Sequence, residues 1–178
     1  GLSWASLTSG VLPGLTATED QAIPRLSAPE ALERLRDGNH RFTNGGRKVG
    51  TLATAERREA LLDDQEPFAI ILGCADSRVP AEIVFDQGLG DLFVIRVAGN
   101  VVAPSLIGSV EFAAEWFGTR LVVVLGHTRC GAVQATIEEL TGKARYDMGS
   151  LRSIVDRVRP AVEPLMGTEL RHDQDALM

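Results

Sequence analysis

Long apolar runs are missing from this 178-residue chain. Its most continuous ones, Phe68–Leu72 and Leu121–Leu125, fall far short of the roughly 20 residues that span a bilayer, which excludes a membrane span. Basic clusters are missing too. With a formal charge of −6 and no stretch of lysine and arginine able to track phosphates, nucleic acid is excluded as a partner. Cysteine is scarce, at two residues, and a chain of this length with 44% hydrophobic content builds a core without a disulfide. Charge is absent from residues 1–18, which also lack a basic leader region and begin at Gly1. That segment is not read as a signal peptide, and the chain is placed in the cytoplasm. An exported protein, or a cytoplasmic domain of a membrane transporter, is the alternative. Internal repeats and low-complexity segments are absent as well.

What is present reads as α/β. Residues 1–26 mix Ser, Thr, Gly and Pro and form an arm or linker. Ser27 and Glu30 have capping-box spacing, and Leu32, Leu35 and Phe42 mark one face of a helix that ends at Gly45-Gly46. Thr54 caps a short helix through Leu61-Leu62. Phe68–Leu72 is a strand buried on both faces, and Pro80 opens a short helix over Ala81–Phe85. Leu92–Val97 is the next strand, closed by Ala98-Gly99-Asn100. A helix from Pro104 to Phe117 stops at Gly118. Leu121–Leu125 is a third buried strand, and the helix after Cys130 ends near Gly142. Lys143–Gly149 is a loop, and Ser150 caps a last helix over Leu151–Val158, with Leu151, Ile154, Val155 and Val158 on one face. Strands alternating with helices imply a mostly parallel central sheet flanked by helices.

Two of the strands end alike. Phe68–Leu72 runs through Gly73 into Cys74, Asp76 and Arg78; Leu121–Leu125 runs through Gly126 into His127 and Cys130. Ligands bind beyond the carboxyl ends of strands in open parallel sheets, so both groups arrive at one rim. Two thiolates and an imidazole are a zinc set that leaves a fourth position open. Two thiolates nearly cancel the zinc charge, so a second group is needed to help the metal's water lose its proton. Asp76 fits that role, clamped and kept ionised by Arg78. The plainer readings are a surface Asp-Arg pair, two structural thiols and a satisfied core histidine.

Cys74-Ala75-Asp76-Ser77-Arg78, followed by Gly126-His127-Thr128-Arg129-Cys130-Gly131, resembles the signature of the β-class carbonic anhydrases. The similarity runs over residues 28–160 and includes Ala98-Gly99-Asn100. It implies a β-carbonic-anhydrase-like fold and one zinc per chain, held by Cys74, His127 and Cys130. Asp76 and Arg78 form the catalytic dyad, and Asp76 is a possible fourth ligand in a closed state. The implied reaction is reversible hydration of CO2 to bicarbonate and a proton by metal-bound hydroxide, in a homodimer or higher homo-oligomer. In one branch of the family a Gln, a Phe and a Tyr line the substrate pocket, some from the neighbouring subunit. Gln65 and Phe93 match the first two, and Phe112 stands where that branch has the Tyr.

The backbone near Gly131, at a helix start, is a place to hold the anion. His40 is a candidate proton shuttle, against the plainer reading of a solvated helix-end histidine. Residues 27–178 are then the catalytic domain, without the further helix and edge strand that usually follow in the family. Hydrolysis of carbon disulfide or carbonyl sulfide on the same scaffold is one alternative, and a non-catalytic bicarbonate-sensing domain of a transporter is another.

Overall fold

Among the described residues, three parallel strands stand at the centre. The computed structural model describes residues 25–48, 53–146 and 149–172; residues 1–24 of the expected arm, part of the 143–149 loop and the last residues, 173–178, lie outside them. β1 (Ala69–Gly73) lies between β2 (Leu92–Arg96) and β3 (Val122–Leu125), in the order β2-β1-β3. Gly73 is in register with Arg96 on one side and Leu125 on the other, so all three strands end at one rim.

β1 is buried along its whole length, as a central parallel strand of apolar residues should be. Ala69 and Ile71 pack with Leu35, Ala81 and Leu92 on one face, while Ile70 and Leu72 pack with Ile95 and Ala113 on the other. Full burial of a side chain such as Ile70 or Ile71 contributes roughly 1.5–3 kcal/mol.

The first face is covered by α1 (Ala28–Thr43) and the short α3 (Ala81–Val84). The expected capping box forms, with Glu30 accepting the Ser27 N–H at 2.8 Å. The face that α1 buries is Ala31, Leu35 and Gly38 rather than Leu32, Leu35 and Phe42; Phe42 is exposed. Gly38 decides this, because a Cβ there would sit 1.7 Å from the Phe85 carbonyl oxygen. The contact is pinned by buried Asp86, which accepts from Arg41 Nε at 2.6 Å and from the Lys48 N–H at 3.1 Å. Burial pushes the Asp86 carboxyl up, but these hydrogen bonds and the Arg41 charge outweigh it and hold it below the usual carboxylate range. α2 (Ala55–Ala60) starts where Thr54 accepts the Arg57 N–H at 3.2 Å.

The second face is covered by α4 (Pro104–Trp116), through Leu106, Val110 and Ala113, over β1 and β2. α4 does not reach β3. Val122 and Val124 are therefore 45% and 66% exposed, which corrects the expectation of a strand buried on both faces. An apolar run by itself cannot show whether each of its faces has a cover.

α5 (Gly131–Leu140) and α6 (Gly149–Val162) pack together through Ile137, Val158 and Val162, with Val101 beneath them. α6 is longer than expected and runs through Pro160. Its buried face is Val155, Val158 and Val162, while Leu151 is exposed. Among the described residues no helix is long and apolar enough to cross a membrane.

Candidate metal centre

The rim carries the ligands. Cys74 follows the last residue of β1, and His127 lies two residues beyond the end of β3. The chain then turns through Thr128 and Arg129, the latter at a left-handed φ of 56°, and Cys130 becomes the N-cap of α5. That turn brings Cys130 back to Cys74, Sγ to Sγ at 4.0 Å, with both thiols free and buried. The ligand atoms of Cys74, His127 and Cys130 all lie within 4.8 Å of one another.

The geometry fits zinc. Tetrahedral coordination with Zn–S bonds near 2.3 Å places two sulfurs about 3.8 Å apart. The imidazole is prepared for it: His127 Nδ1–H donates to the Thr128 carbonyl at 2.9 Å, which leaves Nε2 with a lone pair. Nε2 is buried and has no hydrogen-bond partner. A buried polar atom left unpaired costs about 1–3 kcal/mol, and a metal removes that cost. Burial pushes the Cys74 thiol up, but the backbone N–H groups of Asp76 and Gly99, with His127 and Cys130 close by, outweigh it, and the net shift is downward, toward thiolate. The Gly99 N–H reaches Cys74 Sγ at 3.4 Å.

Beside the ligands, Arg78 grips Asp76 bidentately. Nε donates to Oδ1 and Nη2 to Oδ2, each at 2.8 Å, and the Arg78 N–H adds a bond to Oδ1 at 2.9 Å. These bonds, with the Arg78 charge, hold the Asp76 carboxyl well below the usual carboxylate range. Arg78 Nη2 also donates to the Arg129 carbonyl at 3.1 Å, so one guanidinium ties the two ligand loops together. Asp76 Oδ2 stands 3.9 Å from His127 Nε2.

Comparison with known proteins gives the same answer independently. Residues 69–177 match the family model described as carbonic anhydrase. The chain belongs to the β-carbonic anhydrase family. It is 44% identical over 140 residues to a carbonic anhydrase of Mycolicibacterium smegmatis and 43% identical to carbonic anhydrase 2 of Mycobacterium tuberculosis, covering 79% of this chain and 67% of each relative. The crystal structure of the β-carbonic anhydrase CafA of Aspergillus fumigatus superposes with a TM-score of 0.59 at 25% identity, covering 83% of this chain and 65% of that one. The family's reaction, zinc-dependent hydration of CO2 to bicarbonate, is the reaction of this Cys-His-Cys centre.

Not every residue read from the sequence comes to the rim. Gln65 is exposed in the connection before β1, at the strand's opposite end. Phe93 lies within β2 under α4, with its ring centroid 6.2 Å from that of Phe112 and 5.9 Å from that of Phe117. Phe112 is half exposed and stacks on Trp116. His40 is exposed in the last turn of α1 beside Asn44. Gly131 is the first residue of α5, immediately after the ligand Cys130. Sequence reading missed Arg129, whose left-handed backbone makes the turn between two ligands and whose carbonyl Arg78 holds.

Proposed function

We propose that the chain hydrates CO2 with Cys74, His127 and Cys130 holding zinc and Asp76 and Arg78 orienting the attacking water. The orphaned, buried Nε2 of His127, facing two buried thiols, carries this reading. Bound there, zinc supplies the Lewis acidity that makes a hydroxide nucleophile available near neutral pH. Asp76, already gripped by Arg78, keeps one free lone pair, on the Oδ2 that faces His127, and accepts with it the hydrogen of the attacking water, fixing its orientation. The first N–H groups of α5, from Gly131 onward, have no partner within the helix and follow directly on the ligand Cys130, where they support the bicarbonate oxygens. Stopped-flow CO2 hydration before and after treatment with a zinc chelator tests the reading. Activity is expected to vanish with the metal and return with added zinc; activity indifferent to chelation would refute it. Carbon disulfide and carbonyl sulfide, run in the same assay, separate the sulfur-analogue reading. A complete ligand set with the Asp76–Arg78 pair in place favours catalysis over bicarbonate sensing.

The active site is completed by a second copy of the chain. Gln65 and Phe93, assigned to the substrate pocket by resemblance, do not reach the metal ligands of their own chain, which supports their being supplied by a partner. Exposed Val122, Val124, Phe112 and Trp116 give the chain the apolar surface that such an association covers. Sedimentation at falling protein concentration, with activity followed in parallel, is the check. Specific activity should fall as the oligomer dissociates, and a fully active monomer would show that each chain builds its pocket alone. The catalytic domain begins at residue 27. Its reduced, metal-ready thiols suit the cytoplasm.

A further inference from the structure

β2 carries no metal ligand, yet the segment that leaves it touches both ligand loops. Arg96, its last residue, donates from Nε to the Cys74 carbonyl at 2.9 Å and from Nη2 to the Asp76 carbonyl at 2.6 Å. The chain then turns through Ala98–Asn100, where Gly99 and Asn100 take left-handed φ values of 70° and 53°. That conformation aims the Gly99 N–H at Cys74 Sγ. It also aims the Asn100 amide at the other loop, where Nδ2 donates to the Leu125 carbonyl at 2.6 Å, two residues before His127. The turn is pressed against the helices that follow the site. A Cβ on Gly99 would meet the Ala132 Cβ at 2.8 Å and the Val158 Cγ2 at 3.1 Å, so the turn has no room to move toward α5 or α6.

We propose that Arg96 and Asn100 are positioning residues that set how tightly this chain holds zinc. Arg96 fixes the loop of Cys74 and Asp76, and Asn100 fixes the approach to His127. The two loops belong to different strands, and holding them at ligand spacing before the metal arrives removes an ordering cost from binding. Neither residue contacts the metal, so each acts only through the backbone it holds. The proposal rests on zinc being the ion of the Cys74–His127–Cys130 centre.

The test is zinc affinity by competition with a chromophoric chelator, together with the visible spectrum of the cobalt-substituted protein, on the full chain. Asn100→Gly keeps the left-handed backbone available and deletes only the amide. Asn100→Asp keeps size and turn preference but sets a carboxylate against the Leu125 carbonyl. Arg96→Gln removes the fork that spans two carbonyls. Outer-shell partners of metal ligands are typically worth about 10–100-fold in affinity, and each variant is expected to lose that much and to shift the cobalt bands. If Asn100→Asp fails to fold, Asn100→Gly and Arg96→Gln decide. Folded variants that bind zinc within twofold of the wild type, with an unchanged cobalt spectrum, overturn the proposal. A wild-type chain that binds no zinc in the same titration overturns the zinc reading instead.

Discussion

His127→Ala will release zinc and abolish CO2 hydration. The side chain removed is the centre's one neutral ligand, its Nε2 buried and otherwise unpartnered. Cys74 and Cys130 remain 4.0 Å apart, two soft donors able to hold a metal only weakly. Zinc held by four ligands is typically worth about 10–16 kcal/mol in small structural sites, so one ligand accounts for about 3 kcal/mol or more, a loss of at least about 100-fold in affinity. Elemental analysis of purified His127→Ala should find the metal far below one per chain, and stopped-flow assay should find no enzymatic rate. Cys74→Ser should behave in the same way, since a hydroxyl is a harder and far less acidic donor than a thiol. Full zinc occupancy in both variants would refute the ligand assignment. The fold should survive either change, because the core clusters around Ile70, Ile71 and Val158 do not depend on the metal.

Asp76→Asn will separate metal binding from catalysis. Asp76 lies next to the centre but outside its ligand group, so the variant should keep its zinc. The amide is nearly the size of the carboxylate, yet it offers Arg78 one acceptor where two stood, and it turns an N–H2 toward either the guanidinium or the attacking water. A positioned group that handles the reacting hydrogen contributes typically about 10²–10⁴-fold, and a fall of that order in kcat/KM is expected at unchanged zinc content. Arg78→Lys should show a milder version. It keeps a positive charge beside Asp76 but loses the planar fork and the bond to the Arg129 carbonyl. An Asp76→Asn enzyme as fast as the wild type at pH 7 would leave the dyad without a catalytic role.

The strands, the metal-type cluster and the Asp76–Arg78 pair were legible because they are written locally. An apolar run followed by glycine and then by metal-type side chains states a buried strand and what lies at its end, and Asp76 and Arg78 stand close enough in the chain to find each other. Ser27 and Glu30 declare a helix start by spacing alone. In α1 and β3, where the reading slipped, the missing fact was a neighbour. Gly38 faces the core because the Phe85 carbonyl comes to it, and no periodicity in α1 contains that carbonyl. Val122 and Val124 are exposed because α4 stops short of β3, although Ile70 and Leu72, of the same apolar character, are covered.

The sequence by itself determined which atoms can bind zinc and that two strand ends deliver them. Only the tertiary structure decided that His127 presents Nε2 rather than Nδ1, and that Arg96 and Asn100 grip the backbone leading to the two ligand groups. The reason is physical. A thiol or an imidazole declares its chemistry in any setting, whereas a hydrogen bond to a backbone carbonyl exists only where the fold has brought a particular carbonyl within 3 Å of a donor that could have served anywhere.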